Sequence, residues 1–312
     1  MKMHTDCCPP VNNSRRKFRF VKRCISILVI TGVCAATASA GGGPSGKIVF
    51  ASASGPAGQG QIWVMNADGS GRHPVSPATS NLSAPALSRD GTRIAFVKRG
   101  DVYVMGVTGA KVRRLTFSGR STEGAPAWSA DGRWIAYSSY RAGRSAIWKM
   151  RADGGRKTLL AAGRTLDVPS WSPDGMRIAY AGVSGQIWIM NADGSGKHRL
   201  TRTASGKGVD WAPSWSPDGG RIAYESNVDT GPRDLTNEIW VIGADGSHPV
   251  RLTHNALNDN RPVWSPNGNW ILFSSPLPHP GIAHLWLMRP NGKSLHRVTP
   301  WAGEQYAASW AR

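Results

Sequence analysis

Residues 168–194 read Val-Pro-Ser-Trp-Ser-Pro-Asp-Gly-Met-Arg-Ile-Ala-Tyr-Ala-Gly-Val-Ser-Gly-Gln-Ile-Trp-Ile-Met-Asn-Ala-Asp-Gly. The stretch contains two motifs that alternate along the chain. Copies of the first, Xaa-Pro-Xaa-Trp-Ser-Pro-Asp-Gly, lie at 84–91, 125–132, 168–175, 212–219 and 261–268. Copies of the second, Ile-Trp-Ile-Met-Asn-Ala-Asp-Gly, lie at 62–69, 102–109, 147–154, 187–194, 239–246 and 285–292. Spacings of 40–52 residues between copies indicate a chain built from one repeated supersecondary unit.

One repeat contains four short strands and no helical period. The strands are predicted at Ser170–Ser172, Arg177–Tyr180, Gln186–Met190 and Lys197–Thr201. Between the first two, Pro173 supplies a φ near −65° and Gly175 supplies a positive φ, as a tight turn requires. Four such strands predict a four-stranded antiparallel blade, and six copies of the second motif predict an all-β, six-bladed β-propeller.

The two ends of the repeated region predict how the ring closes. Lys47–Phe50 matches a second strand, and Ala308–Arg312 matches a first strand. We therefore expect the C-terminal strand to complete the first blade, which leaves no sheet edge open. The propeller is predicted to cover residues 46–312.

These residues resemble the repeat of the TolB-like propellers, which are related to the WD-repeat class. The shared pattern is Trp-Ser-Pro-Asp-Gly, Arg-Ile-Ala-Tyr, Ile-Trp-Ile-Met-Asn-Ala-Asp-Gly and Leu-Thr. The resemblance implies the propeller fold but little about function, because such propellers serve as scaffolds, as gates on peptidases and as polysaccharide-processing enzymes. The resemblance to TolB also implies an N-terminal α/β domain before the propeller. We expect this chain to lack that domain.

The N-terminal segment resembles an export signal. Residues 15–23 are basic, residues 24–38 are apolar, and Ala38-Ser39-Ala40 is a small-residue cleavage site. We interpret residues 1–40 as a signal peptide and 41–45 as a short linker, which predicts a periplasmic or secreted protein. Ser14-Arg15-Arg16-Lys17-Phe18 resembles the twin-arginine signal, and an ordinary basic leader is the alternative. All four cysteines lie within residues 1–40, so the exported chain is expected to contain no disulfide.

The exported chain is strongly basic. The full chain has a formal charge of +19, and residues 1–40 contain seven of its Lys and Arg residues and one Asp, which leaves +13. This charge favours an anionic neighbourhood, so the expected partner is a protein or an anionic envelope polymer. Nucleic acid is not expected, because most aromatic residues belong to the repeat and are therefore interpreted as core. No later segment is long and apolar enough to span a membrane as a helix, and we expect a monomer.

Most of the conspicuous side chains have a structural interpretation. The Asp of each Ser-Pro-Asp-Gly turn is expected to bind backbone N–H groups of its own turn. The repeated tryptophans are expected to fill the space between blades. Basic residues cluster on the fourth strands, for example at Arg113 and Arg114, where charge blocks edge-to-edge pairing of sheets.

The candidate binding residues lie outside the repeat, on the face that carries the loops between second and third strands and between blades. Acidic residues four to six positions before a first-strand aromatic predict an acidic ring at the channel mouth: Glu123, Asp167, Asp210, Asp259 and Glu304. Such a ring could hold a divalent cation or a basic peptide end; no other cofactor is expected. The remaining candidates are Trp211 and Trp301, in loops before first strands, and residues of two long loops: Asp229, Arg233, Asp234, His279 and His284.

Three hypotheses of function follow. The first is an exported, non-catalytic binding or scaffold protein, because the sequence contains no recognised catalytic motif. The second is a polysaccharide-directed lyase or hydrolase that uses carboxylates of the channel mouth and a histidine. The third is a regulatory propeller whose peptidase partner is a separate chain.

Overall fold

Six four-stranded antiparallel sheets build the part of the chain that the structure, a computed structural model, describes. The described residues are 43–53, 60–78, 82–119, 121–202, 208–228, 236–278, 280–299 and 303–311. Within these ranges there is no helix that is long and apolar enough to cross a membrane. The predicted leader, residues 1–40, lies outside the described residues, and so do residues 41 and 42 of the predicted linker.

The strands follow the chain from blade to blade. Blade 1 contains β1 (Lys47–Ala53), β2 (Gly60–Asn66), β3 (His73–Pro74) and the C-terminal β24 (Glu304–Ala311). Blade 2 contains β4 (Leu82–Leu87), β5 (Arg93–Lys98), β6 (Asp101–Gly106) and β7 (Arg113–Arg114). Blade 3 contains β8 (Thr122–Trp128), β9 (Trp134–Arg141), β10 (Arg144–Arg151) and β11 (Thr158–Gly163).

The second half of the ring repeats this order. Blade 4 contains β12 (Asp167–Trp171), β13 (Arg177–Ala181), β14 (Ile187–Asn191) and β15 (His198–Arg199). Blade 5 contains β16 (Asp210–Trp215), β17 (Arg221–Ser226), β18 (Glu238–Gly243) and β19 (Val250–Arg251). Blade 6 contains β20 (Asn260–Trp264), β21 (Ile271–Ser275), β22 (His284–Met288) and β23 (His296–Arg297).

The predicted closure of the ring is confirmed. Strand β24 pairs antiparallel with β1, so that Trp310 lies opposite Ile48 and Ala311 opposite Lys47. The indole N–H of Trp310 donates to the carbonyl of Ser45 at 2.9 Å. The last strand of the chain thus completes the first blade, and the predicted six-bladed architecture is confirmed with it.

The hydrophobic core lies between blades. Each of six buried clusters combines side chains of two consecutive blades, including the pair formed by blades 6 and 1. First-strand tryptophans such as Trp128, Trp215 and Trp264 are buried in these clusters. Their predicted role as filler between blades is therefore confirmed.

The turns use short polar side chains to satisfy the backbone. In blade 3, the Ser129 hydroxyl donates to Asp131 at 2.6 Å and accepts the backbone N–H of Trp134 at 2.9 Å. Asn267 accepts the equivalent serine hydroxyl in blade 6 at 2.8 Å, so the turn does not require a charge. The Asp residues of these turns have the structural role that the sequence predicts.

The first strands begin earlier than predicted. Strand β12 starts at Asp167 rather than Ser170 and ends at Trp171. It includes Pro169, which lies within a bulge in the pairing with β13 and follows a left-handed residue, Val168, with φ 46°. A proline has no N–H to leave unpaired at such a bulge, so the strand continues through it.

The first stability prediction concerns ring closure. Replacing Trp310 by Ala should lower the free energy of unfolding by about 3–5 kcal/mol, because the indole side chain is buried between blades 6 and 1. Met176→Ala, at a side chain that is 67 % exposed, should change it by less than about 0.5 kcal/mol. Urea unfolding of the two variants measures the difference. Equal losses would show that the C-terminal strand is not needed for closure.

Candidate functional site

The six first strands surround a central channel of about 300 Å³. At the same register position, every first strand has a left-handed residue followed by Pro or Ala, and these residues line the channel. The left-handed residues are Ala84, Ala125, Val168, Ala212, Arg261 and Ala307. Five of the six are small and apolar, so blade architecture does not require a charge here.

Arg261 is the exception in this ring. Its side chain is exposed and lines both the channel and the wider pocket at the channel mouth. Its backbone N–H donates to Glu225 Oε2 of blade 5 at 2.6 Å, which holds the left-handed residue in place. The guanidinium is therefore presented to the channel mouth from a fixed point of the backbone.

The pocket at the channel mouth measures about 710 Å³ and brings two acidic and two basic residues together: Glu123, Asp167, Arg99 and Arg261. A Cβ built on Gly124 would lie 3.9 Å from Asp167 Oδ1, so the Asp167 carboxylate leans towards blade 3. Five residues share the register of Asp167 in the other blades: Ser83, Gly124, Trp211, Asn260 and Tyr306. Ser83 and Gly124 line the same pocket, and the other three add two aromatic rings and an amide at the equivalent register of blades 5, 6 and 1.

The predicted acidic ring does not converge. Glu123, Asp210 and Asp259 are buried and occupy one register position, each with its backbone N–H bonded to the preceding blade. Asp210 accepts the Ser226 hydroxyl at 2.6 Å, and Asp259 accepts the Asn255 amide at 2.7 Å. The backbones of these residues join blades, and the Asp210 carboxylate bonds within its own blade. Within the described ranges no three His, Cys, Asp or Glu side chains gather into a possible metal site, so the predicted cation has no ligand set among them.

The acids were predicted to precede the first strands, but the strands begin early enough to include most of them. Glu123, Asp167, Asp210 and Glu304 lie in first strands, and Asp259 directly precedes one. Trp211 likewise lies in β16, where it pairs with Glu225, and not in a preceding loop. The bulge at the Xaa-Pro step is the reason, because it lets each first strand extend beyond the proline.

Burial sets the electrostatics of the mouth. It raises the pKa of Glu123, against a hydrogen bond from Ser121, and it raises the pKa of Glu225. At Tyr306 the charge of Arg261 opposes the rise in pKa that burial and Glu304 cause. Arg261 is thus electrostatically coupled to the carboxylates and the phenol that surround it.

His284 has a fixed structural role. Its Nδ1 lies 2.8 Å from Gln305 Oε1, and its Nε2 lies 3.1 Å from Nη2 of Arg297. Because a guanidinium can only donate, Nε2 accepts and Nδ1 donates. Glutamate or aspartate takes the same place in other blades, where Glu238 binds Arg251 at 2.8 Å. His284 therefore joins strands rather than facing the channel freely.

Five predicted residues lie outside the described residues: Asp229, Arg233, Asp234, His279 and Trp301. Conversely, sequence reasoning missed two residues that the structure places at the channel. Arg261 interrupts a ring of small residues, a signal that is visible once the repeats are aligned. Arg89 lies at the opposite end of the channel, where Nη1 donates to the carbonyl of Pro173 at 3.1 Å, two blades away.

The sequence matches one protein family. The TolB beta propeller domain matches residues 29–206 and 165–312. "Tricorn protease homolog 1" of Streptomyces coelicolor is 29 % identical over 82 % of the chain, and "Tol-Pal system protein TolB" of Anaeromyxobacter dehalogenans is 36 % identical over 35 % of it. The crystal structure of TolB from Acinetobacter baumannii superposes with a TM-score of 0.74 at 21 % identity, covering 86 % of this chain and 67 % of that one.

The matches to the two curated relatives are partial. The aligned part spans 20 % of the Streptomyces protein and 27 % of the Anaeromyxobacter protein. The structural similarity, at 21 % identity, concerns the fold alone. The channel mouth of this chain must therefore be interpreted from its own residues.

The second prediction concerns Asp259 and pH. Burial raises its pKa from 3.8 to about 6, and nearby Glu238 adds to the rise. A raised carboxyl pKa means that stability is fully present below about pH 4 and is lost as pH rises through 6. Asp259→Asn should match the native chain at pH 4 and gain up to about 3 kcal/mol over it at pH 7.

Urea unfolding at pH 4, 5, 6 and 7 measures this difference. Asp193→Asn is the control, because hydrogen bonds from Ser195 lower the pKa of Asp193, a shift opposite in sign to that of Asp259. Profiles of Asp259→Asn and the native chain that run parallel between pH 4 and 7 would contradict the prediction.

Proposed function

The chain belongs to the TolB β-propeller domain family, and on that premise we propose that it is an exported, non-catalytic binding protein. Its channel mouth takes an extended segment of another protein. The segment presents an acidic side chain or a terminal carboxylate to Arg261.

The observation that carries this proposal is the position of Arg261. Four of the other five blades have Ala at this position and the fifth has Val, so the arginine is an addition to the fold. It lines an open mouth together with Arg99, whereas Glu123 is buried and bonded to Ser121 at 2.9 Å. An arginine fork binds a carboxylate through two parallel hydrogen bonds. Trp211 and Tyr306 supply rings against which a peptide can pack.

Two further observations support binding and export. The relative named "Tol-Pal system protein TolB" belongs, by that name, to a system of proteins. The predicted leader over residues 1–40 supports an exported chain, in the periplasm or outside the cell. In five of the six blades the outermost described strand is only two residues long, and such short edge strands support a monomer that binds through its mouth.

The third prediction tests the mouth directly. A photoreactive benzophenone amino acid is introduced in place of Ala125. Ala125 has the same position in blade 3 that Arg261 has in blade 6, where the first strand accommodates a long side chain. Illumination in a cell-envelope fraction should link it to partner proteins. Arg261→Ala, which copies four other blades, should reduce the linked product about tenfold, because a charge-assisted pair is lost.

The matched control places the same amino acid at Leu159, which is 48 % exposed on β11. It should give no product that depends on Arg261. If both positions link equally, or if Arg261→Ala changes nothing, the channel mouth is not the binding site.

A second candidate function rests on the two carboxylates of the mouth. Glu123 and Asp167 line one pocket, and burial raises the pKa of Glu123. Polysaccharide hydrolysis uses two carboxyl groups that flank the substrate, and a raised pKa suits the one that acts as general acid. This alternative makes the chain a polysaccharide-directed lyase or hydrolase.

The fourth prediction separates the two functions. On the alternative, the chain without residues 1–40 should release new reducing ends from uronic-acid polymers. Glu123→Gln and Asp167→Asn should each lower that rate at least about 100-fold, because general acid–base catalysis is lost. Asp193→Asn, at an exposed turn, is the control. The binding proposal expects no release from the native chain.

A further inference from the structure

A second concave site lies between blades 2 and 3, on the face that carries the turns and opposite the channel mouth. It is a cleft of about 310 Å³. We call it the arginine cleft and define it by Arg93, Arg113, Arg133, Arg151 and Arg156. One carboxylate, Asp153, lies among them.

Blade architecture does not require most of these arginines. At the repeat position of Arg133 the other blades have uncharged side chains, among them Thr92 and Asn269. At the position of Arg156, blades 1 and 4 have Gly71 and Gly196. Arg156 occupies this left-handed position with φ 46°, which favours glycine.

Three of the arginines are held in place. The Arg93 guanidinium lies 4.5 Å from the centre of the Trp128 ring and donates to the carbonyl of Gly132 at 3.0 Å. Arg113 donates to the carbonyl of Ala152 at 3.0 Å. Arg151 lies 3.3 Å from Asp153. The walls of the arginine cleft are therefore preorganised before any ligand arrives.

The other two arginines keep their donors available. Arg133 and Arg156 are exposed, and neither forms an ion pair with a carboxylate in the part of the chain that the structure describes. Five guanidinium groups around one carboxylate repel one another, and a multivalent anion removes that repulsion. Trp134 adds a half-buried ring to the wall, and Lys149 Nζ lies 5.1 Å from its centre.

We propose that the arginine cleft binds a compact phosphate-bearing molecule, a phosphate monoester or a diphosphate. Guanidinium forks match the oxygens of a phosphate and bind it through paired hydrogen bonds. The volume of about 310 Å³ is near the lower end of ligand pockets, so it suits one compact group. The site is separate from the channel mouth and does not rest on the function proposed there.

The fifth prediction uses pyrophosphate as the probe. Calorimetric titration of the chain without residues 1–40, in a phosphate-free buffer, should show binding. Arg156→Gly and Arg133→Thr, which copy residues of other blades, should each weaken it about tenfold. Arg156→Gly should not lower the melting temperature of the free protein, because glycine is favoured at this φ.

Lys111→Gly is the matched control. Lys111 has the same charge and the same left-handed position in blade 2, with φ 56°, but does not line the arginine cleft. It should weaken binding less than twofold. Equal weakening by Lys111→Gly and Arg156→Gly would show general attraction to a basic surface and overturn the proposal.

Two further arms identify the source of the phosphate. Inorganic phosphate and a sugar phosphate such as glucose 1-phosphate should compete with pyrophosphate, whereas glucose should not. Vesicles containing phosphatidylglycerol should bind the native chain and the Arg156→Gly variant equally. If only vesicle binding depends on Arg156, the cleft contacts a membrane surface and the proposal of a compact ligand is wrong. Failure of pyrophosphate binding would leave cross-linking at the channel mouth unaffected.

Discussion

The burial of hydrophobic side chains between consecutive blades is the constraint on which the rest of the structure depends. A four-stranded sheet has two apolar faces, and each buried cluster of this protein is shared by two blades. No blade can therefore bury its faces alone, and the ring has to close. The pairing of β24 with β1 provides the sixth interface, and Trp310 fills it. Closure also aligns the six first strands around one channel, which creates the candidate site.

Three of the five acids predicted to surround the channel mouth are buried at contacts between blades, and the predicted acidic ring is therefore not present. Glu123, Asp210 and Asp259 share a register position that joins each blade to the one before it. Asn255 bonds to one oxygen of Asp259, but burial still raises the pKa of this carboxyl, so a charge at this position is held at a cost in stability. These three acids therefore have a structural role at the contact between consecutive blades. The residue that departs from the left-handed ring of small side chains is Arg261, and the proposed binding site rests on it.

The high positive charge of the chain has two different physical roles. Part of it is structural, because arginines of one blade lie over tryptophans of the next, as Arg177 lies 4.7 Å from Trp215. Another part is concentrated in the arginine cleft, where five guanidinium groups surround a single carboxylate, Asp153, and repel one another. The two proposed sites lie on opposite faces of the propeller and share no lining residue, so a variant of one site leaves the other unchanged.

The sequence by itself determined the repeat, the number of blades, the turns and the closing strand, because each depends on local periodicity and on residue types with narrow backbone preferences. It also identified the tryptophans and turn aspartates as structural. The tertiary structure alone decided where the non-repeated residues point. Whether Asp210 faces the channel or a neighbouring blade depends on a bulge at the following Xaa-Pro step, and bulges change register without a distinctive sequence signal. The arginine cleft likewise joins residues of β5, β7, β9 and β10 with those of adjoining turns, and only the packing of blade 2 on blade 3 brings them together.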